Sequence, residues 1–132
     1  MSFLLDTDIC SAYLKGNNAV ATRFIQYGGR LHVSAVSLGE IFAWALRAKA
    51  PPNRMKNLLE MLRLVDLVDV NSDVARRFGE TKTHMLDHGL SAPDLDLLNA
   101  ATALVHDLIM VTHNTADYTN IPGLTVVDWL AP

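Results

Sequence analysis

Asp6, Glu40, Asp96 and Asp117 lie far apart in the chain, yet each falls where a strand gives way to a helix or a loop. Asp6 closes the apolar run Phe3-Leu4-Leu5, and Asp117 follows Leu108-Ile109-Met110-Val111-Thr112. The set is short of nearby bases. Mg2+ and Mn2+ are hard cations that take oxygen ligands, commonly a few carboxylates together with waters and substrate phosphates. The four residues therefore point to a divalent-metal site and to a metal-dependent nuclease. No Ser–His or Cys–His arrangement offers a competing nucleophile.

Each carboxylate also has a plain structural use. Asp6 can cap the helix that follows it, a role worth about 1 kcal/mol. Thr7 and Asp8 can cap equally well, which frees one aspartate for a metal, and Asp6 is preferred. Ser37-Leu38-Gly39-Glu40 fits a capping box, with Glu40 folding back from the first turn onto the cap amide. Ser91-Ala92-Pro93-Asp94 is a looser copy of that pattern. Spacing thus accounts for Glu40 and Asp94 without chemistry. It does not account for Asp96, which is set among Leu95, Leu97, Leu98, Ala100 and Ala101. A carboxylate in such company is costly unless paired or metal-bound. Asp94 and Asp96 lie about 200° apart around a helix, so only one can face a given site, and Asp96 is chosen. Asp117 reads either as a turn residue or as a ligand. Its neighbours Thr112 and Asn114 are placed to contact a phosphate or a water on the metal. His84 and His88 have zinc-pair spacing but lack the glutamate of HExxH and a third ligand, so they read as a solvated helix face.

The elements that must position these groups follow from periodicity and stop signals. Residues 2–5 read as a buried strand, and Asp6-Thr7-Asp8 opens a helix that runs to about Lys15 before Gly16. A second helix covers about Ala19 to Tyr27, and a strand covers residues 30–34. Helices follow from Ser37 to about Lys49 and from about Asn53 to Leu64, divided by Pro51-Pro52. A third strand is predicted over 65–70, then a long helix capped by Asn71 or Ser72 and stopped by Gly89. The next helix runs from Ser91 to about Asp107, then a strand from Leu108 to Thr112, a loop from His113 to Gly123, and a last strand from Leu124 to Asp128. Short apolar strands divided by helices predict an α/β fold, a central, mainly parallel sheet covered on both faces. Ligands of such sheets bind outside the carboxyl ends of the strands. Asp6 and Asp117 fall there directly, and Glu40 can reach the same edge.

Composition narrows the class. The 132 residues predict one domain, 1–132, and the 50% apolar and 19% charged content fits an ordinary globular chain. No apolar run approaches the roughly 20 residues of a spanning helix, and no basic leader precedes the first strand. Cys10, the single cysteine, reads as a small buried hydrophobe of a reducing compartment. These features predict a cytoplasmic protein with no membrane contact. The net charge is −3, but all eleven Lys and Arg lie at or before Lys82. Arg47, Lys49, Arg54, Lys56 and Arg63 cluster with only Glu60 opposing, a stretch that can hold an RNA backbone or serve as a solvated helical face. Tyr27, Phe42, Trp44, Phe78 and Trp129 read as core or interface residues.

Assembled, the pieces resemble the PIN-domain family, and within it the VapC toxins of prokaryotic toxin–antitoxin pairs. The matching segments are Leu4-Leu5-Asp6-Thr7-Asp8-Ile9, Val36-Ser37-Leu38-Gly39-Glu40-Ile41 and Asp96-Leu97-Leu98-Asn99-Ala100-Ala101-Thr102-Ala103. Val111-Thr112-His113-Asn114, Asp117-Tyr118 and Val127-Asp128-Trp129 continue the match, which covers nearly the whole chain. The resemblance implies a PIN-like three-layer α/β/α fold with about five strands. It implies an Mg2+- or Mn2+-dependent endoribonuclease that cleaves structured RNA, often tRNA. It assigns Glu40 and Asp96 to an acidic site beside Asp6 as metal ligands, with Thr7 and Thr112 in support. It also implies a homodimer held inactive by a VapB-like antitoxin. Asn114 stands where the family often has Asp, which leaves Asp117 to complete the site. Asn99 stands where the family more often has an aliphatic residue.

Two other readings compete. Leu4-Leu5-Asp6-Thr7-Asp8 superficially resembles the opening motif of haloacid-dehalogenase phosphatases, but Ile9-Cys10 follows and no Lys occurs after Lys82. The second is a catalytically inactive PIN-like module that binds RNA or protein. The near-complete acidic set argues against it.

Overall fold

The strands are short because each supplies only the apolar residues needed to cross the core. A computed structural model describes residues 1–132. β1 (Phe3–Leu5) is followed by α1 (Thr7–Leu14) and α2 (Asn18–Gln26), then β2 (Leu31–Ser34), α3 (Ala35–Ala45) and α4 (Asn53–Met61). β3 (Asp66–Val68), α5 (Ser72–Asp87), α6 (Asp94–Val105), β4 (Ile109–Val111), a 3-10 turn (Thr115–Tyr118) and β5 (Val126–Val127) complete the chain.

The five strands form one sheet in the order β3-β2-β1-β4-β5. Every neighbouring pair is parallel, β5 included. Side chains alternate across such a strand, and β1 shows the consequence. Phe3 and Leu5 enter one core with Ile9, Val20, Phe24, Ile41 and Leu58, beneath α1 to α4. Leu4 enters a second core with Met85, Leu97, Ala100, Met110 and Tyr118, against α5 and α6. The result is the expected three-layer α/β/α arrangement. Trp129 joins the first core, its ring 5.4 Å from that of Phe3. Cys10 is fully buried there, and burial pushes its thiol pKa well up.

Several boundaries differ from the sequence reading: α3 ends at Ala45 rather than about Lys49, α4 at Met61 rather than Leu64, and β3 shortens from 65–70 to Asp66–Val68. α3 starts at Ala35 rather than Ser37, because Ser34 at the end of β2 caps it, its Oγ accepting from Ser37 N at 3.1 Å. The capping box read at Ser37–Glu40 is therefore not formed, and Glu40 sits in the second helical turn. α6 starts at Asp94 with no side-chain cap and ends at Val105. Asp107, read as the helix end, has φ +53°, a left-handed conformation that Asp tolerates better than most residues and that turns the chain into β4. β5 shrinks from the five residues read to Val126–Val127.

The strand order matters for function. From β1 the chain moves outward to β2 and β3, then returns past β1 to β4 on its other side. The C-terminal ends of β1 and β4 thus form a topological switch point, the place where open α/β sheets bind ligands. Asp6 follows β1 and Thr112 follows β4.

Candidate active site

Asp6 is held by donors from four segments of the chain. The backbone N–H of Thr7 donates to Oδ1 at 2.8 Å, and Asn99 Nδ2 to the same oxygen at 3.3 Å. Thr112 Oγ1 donates to Oδ2 at 2.9 Å and the Tyr118 hydroxyl at 3.0 Å. The side chain is 7% exposed. A buried carboxylate is tolerated only when it is so satisfied.

Asp96 extends from the first turn of α6 toward the same place. Its carboxyl is raised from 3.8 to about 6, first by partial burial, then by the charge of Asp6 and by contact with Asp117. The neighbouring Tyr118 hydroxyl opposes that shift. Asp117 comes from the 3-10 turn and stands within hydrogen-bonding reach of Asp96. Asn114 is exposed and contributes backbone groups: its N–H donates to Thr112 Oγ1 at 3.1 Å and its carbonyl accepts from Asp117 N. The structure thus brings Asp117, rather than the Asn114 side chain, to Asp96. Glu40 is exposed at the rim, its Oε1 accepting from Thr7 Oγ1 at 2.8 Å. Asp94 turns away and pairs with Lys82 at 2.8 Å.

Asp8 has a different use. Its Oδ2 accepts from His113 N at 2.9 Å, tying α1 to the loop after β4. Its buried Oδ1 has no partner. Burial and the charge of Asp6 raise its pKa. His113, which carries no motif, also meets Asp128 at 2.9 Å through Nδ1. Tyr118 went unread as a site residue because an aromatic in an apolar setting signals core. It is core, at 1% exposed, but its hydroxyl faces the carboxylates. Burial and the charges of Asp6 and Asp96 push its phenol pKa far up, so it remains a donor.

No three His, Cys, Asp or Glu side chains stand together in an arrangement that could hold a metal ion as they are placed. Asp96 nevertheless feels the charges of both Asp6 and Asp117, and none of the three is in an ion pair. All the donors are oxygens, which suits a hard cation that keeps several waters. On donor type alone the residues suit a hard divalent cation.

The basic stretch divides. Arg47, Lys49 and Arg54 line a cleft of about 700 Å³ with Ala43, Trp44 and Ala48. The Arg54 guanidinium lies 4.7 Å from the Trp44 ring centroid and donates to the Trp44 carbonyl at 3.3 Å. Lys56 is exposed on α4, and Arg63 lies beyond it beside Leu64. A cavity of about 740 Å³ borders Met1, Ser2 and Asp107, which precede β1 and β4, and contains none of the acidic set. No helix is long and apolar enough to cross a membrane.

A three-layer parallel α/β protein with carboxylates gathered at its switch point defines a class, and the PIN domain model matches residues 3–123. The chain belongs to the PIN-domain family. It is 28% identical over 130 residues to the tRNA(fMet)-specific endonuclease VapC of Shigella flexneri, covering 98% of each chain. DNA-bound VapBC from Salmonella typhimurium has a chain that superposes with a TM-score of 0.91 at 24% identity, covering 98% of each. A toxin-antitoxin complex from Klebsiella pneumoniae has one that superposes with a TM-score of 0.79 at 21% identity, covering 99% of this chain and all of that one. Family membership sets aside the phosphatase reading.

Proposed function

We propose that this chain is an Mg2+- or Mn2+-dependent endoribonuclease that hydrolyses phosphodiester bonds in structured RNA, tRNA included, as the toxin of a toxin–antitoxin pair. The observation that carries the proposal is that Asp96 at the switch point feels the charges of both Asp6 and Asp117, with no basic partner for any of the three. A phosphodiester is an anion, and three ionised carboxylates repel it unless a cation intervenes. The ribonuclease names among the relatives support the same reading.

Asp6 and Asp96 would hold the ion, with Asp117 completing the set and Glu40 binding directly or through water. Once bound, the ion supplies charge that makes a water acidic enough to attack near neutral pH and offsets charge building on the phosphate and leaving oxygen. Thr112 and Tyr118 fix Asp6 Oδ2 by donating to it. Thr7 holds Glu40 at the rim, where its free carboxylate oxygen can orient an attacking water. Asn114 offers its exposed amide to a phosphate. Arg47, Lys49, Arg54 and Lys56 would bind the RNA backbone through charge.

A cognate VapB-like antitoxin and a second copy of the chain are the proposed partners. The exposed Ile25, Leu46, Leu59 and Leu64, all in the first half, give apolar surface for both. The absence of an apolar spanning helix is consistent with a cytoplasmic protein.

The test is incubation of purified antitoxin-free protein with total RNA, in Mg2+ or EDTA, for wild type and Asp6→Ala. Discrete fragments requiring both metal and Asp6 are expected. Intact RNA under every condition, from folded protein, would favour the inactive binding module.

A further inference from the structure

Asn99 is 1% exposed, and its side-chain partners lie 62, 65 and 93 residues away in sequence. Ser34 and Ser37 beside it are fully buried. A polar group in such a place must be satisfied by specific partners, and here those partners are Asp6 itself and two serines at the start of the helix that bears Glu40. Asn99 lies one turn beyond Asp96 on α6. Its Nδ2 donates to Asp6 Oδ1 at 3.3 Å and to Ser37 Oγ at 3.0 Å. Its Oδ1 accepts from Ser34 Oγ. Ser34 ends β2 and caps α3, the helix that bears Glu40.

The direction of every bond in this chain is determined. Ser37 N donates to Ser34 Oγ, so the hydroxyl proton of Ser34 is free for Asn99 Oδ1. The amide must therefore turn its NH2 toward Asp6, which as a carboxylate can only accept. Capping of α3 and orientation of Asp6 are thereby joined through one side chain. An aliphatic residue at this position would fill the volume and break that connection.

We propose that Asn99 is a positioning residue of the metal site: through Ser34 and Ser37 it fixes the carboxylate of Asp6 relative to α3 and α6, and so sets the affinity for the divalent ion. The inference rests on the reading of Asp6 as a metal ligand. Partners that orient metal ligands typically change metal affinity by 10- to 100-fold when lost. Asn99 is one of four donors to Asp6, so the low end applies.

Mn2+ binding to the metal-free chain is measured by calorimetry, with the melting temperature of each variant recorded beside it. The variants are Asp6→Ala, Asn99→Leu, and the triple Asn99→Leu/Ser34→Ala/Ser37→Ala. The triple leaves no side-chain hydroxyl or amide of the network unpaired, and its main folding loss is the Ser34 cap of α3. About 10-fold weaker Mn2+ binding is expected for Asn99→Leu and for the triple, and none for Asp6→Ala. A role in stability alone would move the melting temperature and leave the Mn2+ dissociation constant unchanged. The inference fails if wild type binds, Asp6→Ala does not, and the folded triple binds within about twofold of wild type, well short of the loss expected for an orienting partner. Failure of wild type to bind Mn2+ would overturn both this inference and the metal reading beneath it.

Discussion

Replacing Asp117 with asparagine removes one of the two charges that press on Asp96. The Asp96 carboxyl stands at about 6 instead of 3.8 because of partial burial, the charge of Asp6 and contact with Asp117. A metal requires the ionised form. With a midpoint at about 6, about a tenth of wild-type molecules carry that form at about pH 5 and nearly all at about pH 7.5, so Mn2+ should bind ~10-fold more weakly at the lower pH. Asp117→Asn withdraws the repulsion and the shared proton but leaves burial and Asp6. Affinity at neutral pH falls with the lost ligand, while the ratio between the two pH values shrinks toward ~3-fold as the midpoint moves down. Calorimetry at a series of pH values gives both quantities. The sign reverses for the stability of the metal-free chain. There the folded state keeps the Asp96 proton to higher pH than the unfolded state does. That stabilisation is fully present below about pH 4 and is lost as pH rises through about 6. The gap from 3.8 to about 6 sets a ceiling of about 3 kcal/mol, which solvent screening at this half-open position reduces to about 1 kcal/mol. A wild-type Mn2+ affinity that is flat over this range, or an Asp117→Asn variant with an undiminished pH ratio, would refute the reasoning.

Three further outcomes follow from the geometry. Tyr118→Phe removes one donor to Asp6 and should lower stability by about 1 kcal/mol in a denaturant titration, without abolishing Mn2+ binding; complete loss would mean that the hydroxyl is itself required. Neutralising Arg47, Lys49, Arg54 and Lys56 together to glutamine should weaken RNA binding and reduce its log–log salt slope by about 0.7 for each phosphate left without its cation; an unchanged affinity and slope would place the RNA elsewhere. Cys10 should resist alkylation in the native chain and react once unfolded, because it is buried and its thiol is held protonated; rapid native labelling would show that α1 opens.

Much of the fold was legible from local signals. The alternation of Phe3, Leu4 and Leu5 between two cores needs only a short apolar strand inside a covered sheet. Asp96 was legible because a carboxylate among leucines and alanines demands a reason. The start of α3 was not, since Ser34 and Ser37 lie three apart and either can cap; only the end of β2 decides between them. The choice of Asp117 over Asn114 depends on the 3-10 turn, which rotates one inward and leaves the other in solvent. Asn99 and Tyr118 had no local signature, because their partners lie 62 to 112 residues away and exist only once β1, β2 and β4 are side by side. The sheet order, which creates the switch point, was likewise invisible to periodicity.

The central claim is that the carboxylates at the ends of β1 and β4 hold a divalent ion. Crystals soaked in Mn2+ and measured for anomalous scattering test it most directly. The account predicts a manganese peak bounded by Asp6, Asp96 and Asp117. Peaks confined to other surface carboxylates, with none at that position, would contradict it.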